Sequence, residues 1–246
     1  MAEFLNPIAE VGGVDSGDIT TPFEASQMGK EHSFFCPDFD CSDPERRLIL
    51  KVSKNKNPFF SHHSGYGHDI RPETLLHKLA IKWFKDRTDF EVPEGISGNR
   101  RIKKQTLNLD VNKTQLEYSL KEIRPDVKLN TIGGFEFAIE IFVTNDISDL
   151  KKELLYQSGI PTLRIDLSDF YKLNKDKCRE DKVFVEQHLD SLLNNINLKK
   201  WLVCPKEDYP IGDLLMEAVP QNTGCMVILP FIGVIWLLIE WWTKSS

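Results

Sequence analysis

Residues 114–168 constrain this 246-residue chain more than any other stretch, because two strand-like runs, a helix and a third strand follow one another around two isolated carboxylates. Asp126 lies in the run Ile123–Leu129 and Glu140 in the run Phe135–Val143. Read with a period of two, Phe135, Phe137, Ile139, Ile141 and Val143 fall on one face, and Glu136, Ala138, Glu140 and Phe142 on the other. Thr131-Ile132-Gly133-Gly134 separates the runs, and paired glycines favour a tight turn, so the spacing predicts a hairpin. Ser148 to Ser158 reads as a helix that Gly159 stops, and Ile160 to Leu167 as an apolar strand.

A carboxylate in a strand ordinarily belongs to the solvent-facing half of an alternating pattern. The flanks of Glu140 argue otherwise, since Ile139, Ile141, Phe142 and Val143 surround it and predict a buried sheet centre. A carboxylate is rarely left in such a place unless it is paired or coordinates a cation. Asp126 follows Arg124-Pro125, and the proline marks a strand start or an edge. Two such acids side by side repel unless a divalent ion joins them, and hard oxygen ligands suit Mg²⁺ or Mn²⁺.

Arg124-Pro125-Asp126-Val127, Ala138-Ile139-Glu140-Ile141, Val143-Thr144-Asn145, Lys151 and Gly159-Ile160-Pro161 together resemble the PD-(D/E)XK nuclease core, most closely its competence protein CoiA-like branch. The resemblance covers roughly residues 34–170. It implies an α/β (α+β) fold with a restriction-endonuclease-like core, a central mixed sheet of about four strands flanked by helices, and a small β module before it. It further implies that Asp126 and Glu140 hold Mg²⁺ (or Mn²⁺) for hydrolysis of DNA phosphodiester bonds. The family normally carries a lysine or glutamine two residues after the glutamate, and this chain has Phe142 there. In some members the lysine comes from the next helix instead, which points to Lys151 or Lys152. The alternative is a catalytically degenerate nuclease fold, serving as a DNA-binding or membrane-tethered interaction module.

Around this centre the chain divides into an acidic leader (1–33), a β module (34–70), the nuclease-like core (71–205) and a linker with an apolar tail (206–246). The leader, rich in Gly, Ser and Thr, is expected to be loosely ordered. In the β module, Arg47 to Ser53 reads as a strand, residues 54–57 as a turn, and Pro58 to Ser61 as the start of the next strand. Cys36, Cys41 and one of His62 or His63 form a possible zinc set, a metal-free hairpin being the other reading. Phe60-Ser61-His62 is similar to the ending of the cysteine-containing module that precedes the nuclease in CoiA-like proteins, although Cys-x4-Cys replaces the usual closer spacing.

Residues 72–87 form the clearest amphipathic helix, with Pro72 in its first turn and an apolar stripe of Leu75, Leu76, Leu79, Ala80, Trp83 and Phe84. Glu73 and His77 are i,i+4 neighbours beside that stripe, and the resemblance makes them candidate accessories to the metal site. Residues 88–108 read as a basic loop whose Arg100, Arg101, Lys103 and Lys104 would contact the nucleic-acid backbone. Residues 109–122 should supply the first core strand, and Phe184 to Trp201 a helix covering the sheet.

The net charge of −6 does not by itself point to nucleic acid. Its distribution is more informative: residues 1–44 carry −8, residues 45–108 carry +7, and residues 109–246 carry −5. A basic block beside an acidic metal centre is the arrangement a phosphodiester nuclease needs. Five cysteines without a secretory leader imply a reducing, cytoplasmic setting. The run from Cys225 to Ile239 is nearly all apolar and would reach about 23 Å as a helix, short of a ~30 Å hydrocarbon core unless Glu240-Trp241-Trp242 are included. Residues 225–242 are therefore read as an attachment to the inner face of the cell membrane, a buried terminal element or an oligomer contact.

Overall fold

The computed structural model describes residues 8–14, 16, 18–29, 31–37, 41, 43–62, 75–118, 123–144, 147–206 and 208–218. His63, Pro72, Glu73 and the apolar run 225–242 lie outside the described residues. Short apolar segments in the first quarter of the chain assemble into an antiparallel five-stranded sheet, ordered β2-β1-β3-β4-β5. Its strands are β1 (Ala9–Val11), β2 (Ile19–Thr20), β3 (Phe34–Phe35), β4 (Arg47–Val52) and β5 (Pro58–His62). The β4–β5 hairpin follows the sequence pattern. Residues 8–29 do not form a loose leader: β1 pairs with both β2 and β3, and α1 (Pro22–Ala25) begins on a capping box between Thr21 and Glu24. Strands of two or three residues are too short to show a period, so composition alone hid them.

Helix α2 (Leu75–Trp83) continues into a 3₁₀ turn at Phe84–Asp86 and buries the expected stripe, with Leu75, Leu76, Ala80 and Phe84 at zero exposure. Residues 88–108 are a set of short strands and not a loop: β6 (Asp89–Val92), β7 (Gly95–Ser97), β8 (Arg100–Ile102) and β9 (Gln105–Asn108). β6 pairs with β9 and β7 with β8.

The central sheet has five strands in the order β10-β11-β12-β13-β14. They are β10 (Gln115–Leu116), β11 (Val127–Asn130), β12 (Glu136–Phe142), β13 (Thr162–Asp166) and β14 (Lys199–Val203). β11 and β12 form the hairpin expected from the Gly-Gly turn, where Gly134 takes φ 89°. β12 and β13 run parallel, joined by α3 (Asp149–Ser158), and the other pairings are antiparallel. The first strand is shorter than expected, only Gln115–Leu116 pairing with β11. After β13 come α4 (Ser168–Leu173), α5 (Lys177–Glu180) and α6 (Lys182–Asn194). α6 ends at the Asn194-Asn195 pair, so Lys199 to Val203 form an edge strand where the sequence reading continued the helix. A last strand, β15 (Met216–Ala218), pairs with β8.

The alternation in β12 determines the layering. Phe135, Phe137, Ile139 and Ile141 join Val127, Leu129, Leu163 and Ile165 in one core with Leu75, Leu76 and Leu79 of α2 and Val185, Leu189 and Leu193 of α6. A smaller cluster of Leu155 from α3 with Ile123 and Val203 covers part of the sheet separately. The result is a mixed sheet flanked by helices, with an N-terminal β sheet whose Ile8 and Ile19 also enter the main core. Among the described residues no helix is long and apolar enough to cross a membrane.

Phe137 sits at the middle of this packing, fully buried, with its ring centroid 5.2 Å from that of Phe135 and 6.4 Å from those of Phe90 and Trp201. Phe137→Ala should cost about 3–5 kcal/mol, as truncation of a buried aromatic does. Urea denaturation of the full chain measures it.

Candidate active site

Four elements converge on the polar side of the sheet. The β11–β12 register pairs Val127 with Ile139, and continuing it by one residue sets Asp126 opposite Glu140. Asp126 is held in place by the backbone N–H of Ile141, which donates to its Oδ2 at 2.7 Å. His77 Nε2 of α2 lies 3.2 Å from the same oxygen. Lys151 of α3 donates from Nζ to Glu140 Oε2 at 2.8 Å. Ser148 caps α3 by accepting from the N–H of Lys151, and this fixes the first turn that carries the lysine. A cation in a first turn opposes the helix dipole, so the Glu140 carboxylate compensates an otherwise unfavourable placement.

The site is nearly dry. Glu140 is 3% exposed, and its Oε1 is buried with no hydrogen-bond partner. Burial and the neighbouring Asp126 push the Glu140 carboxyl up to about 8; Lys151 and His77 act in the opposite direction without offsetting them. Burial alone would also raise Asp126, but His77, Lys151 and the Ile141 N–H outweigh it and hold that carboxyl below its ordinary value. One acid is thus kept ionised and its neighbour is destabilised as an anion. These two acids could hold a divalent cation, which would supply positive charge between them and a partner for the orphaned oxygen.

The expected site residues separate into those brought together and those that are not. Asp126, Glu140, Lys151 and His77 converge; Lys152 instead reaches Asp149 at 3.4 Å on the exposed side of α3, and Glu73 is outside the described residues. The basic cluster is partly consumed by acids: Lys103 pairs with Glu217 at 2.8 Å and Lys104 with Glu91 at 3.3 Å, while Arg100 and Arg101 lie on β8 between β7 and β15. Phe142, on the face of Glu140, lies under Arg164, whose guanidinium carbon is 4.1 Å from the ring centroid. Arg164 pairs in register with Glu140 across the parallel strands. The sequence reading missed it, although alternation through Thr162, Arg164 and Asp166 carried the signal.

In the N-terminal sheet, Cys36, Cys41 and His62 form a group whose ligand atoms lie within 4.8 Å of one another, a set that could hold a metal ion. Cys41 Sγ is 3.9 Å from His62 Nε2, and His62 Nδ1 is 3.1 Å from Asp43 Oδ2. A carboxylate behind a histidine is the usual way to fix the tautomer that presents Nε2 to a metal. Burial raises the Cys41 thiol, so without a cation it stays protonated.

The raised Glu140 carboxyl has a consequence for stability. Its ordinary value of 4.5 applies to the unfolded chain and about 8 to the folded one, so between these values the folded state binds more protons. In the absence of divalent ions, stability should fall as pH rises from about 4.5 to 8 and level off above that. Glu140→Gln should lack this component and melt higher than the parent at pH 8 in chelator. Parallel melting curves for both proteins across pH 5–9 test it, and identical pH dependence would place the Glu140 carboxyl near its ordinary value. Compared with known proteins, the chain matches no family model, no curated protein and no solved structure, so the chemistry of this site rests on its own geometry.

Proposed function

We propose that this protein is a metal-dependent deoxyribonuclease with a restriction-endonuclease-like core, hydrolysing DNA phosphodiester bonds at the Asp126–Glu140–Lys151 site. The observation that carries this reading is the buried, unpartnered Oε1 of Glu140 beside Asp126, a donor pair left short of positive charge. Asp126 and Glu140 would hold Mg²⁺ or Mn²⁺. Such an ion polarises a phosphate and makes water a better nucleophile at neutral pH. Lys151, which reaches Glu140 from the capped end of α3, would donate to the phosphoryl oxygens as charge grows on them. His77 is a positioning residue: it holds Asp126 ionised and oriented. Arg164, above Phe142 and in register with Glu140, is engaged by Asp166 at 3.0 Å, which leaves Lys151 as the cation on Glu140.

For the second metal group, we read Cys36, Cys41 and His62 as a structural zinc site in the N-terminal sheet. Two thiolates and an imidazole oriented by Asp43 are the soft and borderline donors that zinc prefers.

Two experiments test these readings. With Mg²⁺ or Mn²⁺, Asp126→Ala and Glu140→Ala should each abolish cleavage of DNA, Glu136→Ala should retain it, and Lys151→Ala should slow it on the order of 10²-fold or more. Full activity in either acid variant would remove the site assignment. If the parent protein cleaves neither single- nor double-stranded DNA with either ion, the degenerate, DNA-binding reading takes its place. For the zinc site, elemental analysis should find about one zinc per chain, lost together with several degrees of melting temperature in Cys36→Ser and Cys41→Ser. A metal-free protein with an unchanged melting temperature in both variants would leave these residues as a plain hairpin core.

A further inference from the structure

Helix α2 does more than fill the core and orient Asp126. Lys78 and Lys82 of α2 and Lys85 of the 3₁₀ turn that follows it line a cleft of about 380 Å³ together with Arg124, Glu10 of β1 and Ser16. That volume lies within the range of small-ligand sites. Four cations face two carboxylates here, Glu10 and Glu117, leaving two positive charges in surplus. Glu117 is committed: Lys78 donates to its Oε1, and Arg124 pairs with its Oε2 at 3.0 Å. Lys82 and Lys85 have no carboxylate within salt-bridge distance among the described residues, although Lys82 is half-buried. Cations in surplus over acids in a cleft raise the local concentration of anions.

The cleft adjoins the acid site through the backbone. Arg124 precedes Asp126 by two residues, the N–H of Glu117 donates to the Asp126 carbonyl at 2.7 Å, and Lys78 follows His77 on α2. We propose that this cleft is a phosphate-binding subsite, in which Lys82 and Lys85 hold a nucleic-acid strand by a phosphate neighbouring the one presented to Asp126 and Glu140. The assignment rests on the nuclease reading, and it moves the backbone contacts from Arg100–Lys104, where acids already occupy the lysines, to Lys82 and Lys85.

Binding and cleavage can be measured apart. Anisotropy of a fluorescein-labelled single-stranded oligonucleotide in chelator, over a series of salt concentrations, reads binding without hydrolysis. The double variant Lys82→Ala/Lys85→Ala should bind on the order of tenfold more weakly, and its log Kd should depend on log salt with a slope reduced by about 2. In a metal-containing cleavage assay it should raise KM with kcat retained, the mark of lost binding shared by ground and transition states. Both side chains reach the surface, so circular dichroism and melting should match the parent. Unchanged affinity and slope would overturn the proposal. So would loss of binding to thymidine monophosphate with oligonucleotide binding intact, since that would make the cleft a site for a small phosphorylated ligand. Cleavage surviving in Asp126→Ala would instead strike the nuclease reading, a result independent of the anisotropy curves.

Discussion

The desolvated carboxylate of Glu140 is the constraint on which the rest of this structure depends. A carboxylate at 3% exposure is tolerated in a sheet centre only if other groups meet its charge, and each neighbouring element does part of that. Lys151 reaches it from α3, His77 steadies the adjacent Asp126 from α2, and the Ile141 N–H donates to the Asp126 side chain. Even so, Oε1 stays unpartnered. Apolar residues of similar volume at 126 and 140 would serve stability as well or better, because a buried charged group is a weak source of stability.

Helix α2 shows how a nine-residue segment can serve three purposes at once. Its apolar stripe, anchored by Leu75, Leu76, Leu79 and Ala80, is buried in the main core. His77, beside that stripe, faces Asp126, and Lys78 and Lys82 line the cleft. The 3.6-residue period makes such division unavoidable: every side of a helix packed near a site meets a different environment. A change that rotates or unwinds α2 should therefore disturb core, acid site and cleft together.

Legibility in the sequence followed the length of each element. β12 spans seven residues with one face, Phe137, Ile139 and Ile141, apolar throughout, so its buried face, the Gly-Gly hairpin and the carboxylate near Asp126 could all be read directly. The same holds for the α2 stripe and for α3, with Ser148 and Gly159 at its ends. Strands β1, β2, β7 and β8 have two or three residues each, and no period can be recognised over that length. β14 was hidden differently, because Leu198, Trp201 and Leu202 continue a helical spacing after α6, and only the Asn194-Asn195 stop distinguishes them. The cleft was not legible at all: Glu10, Lys82, Glu117 and Arg124 are distant in sequence and meet only through tertiary packing. The pairing of Lys103 and Lys104 with Glu217 and Glu91 was invisible for the same reason.

Topology accounts for the reach of Lys151 to Glu140. β12 and β13 are parallel, so the chain must cross over between them, and α3 is that crossover. A short connection from the end of β12 sets the first turn of α3 close to the end of the strand, and Ser148 locks that turn in place. Lys151, at the third helical position, then reaches back to Glu140, two residues before the end of β12. Phe142 lies two residues beyond Glu140 on the same face, and its ring is covered by Arg164. Residue 142 is in register with Asp166 across the parallel pair, and Arg164 joins the two, its guanidinium over the Phe142 ring and its Nη2 3.0 Å from Asp166 Oδ2. The ammonium of Lys151 therefore serves Glu140 from α3, while Arg164 is engaged by Asp166 and by the Phe142 ring on the same sheet face.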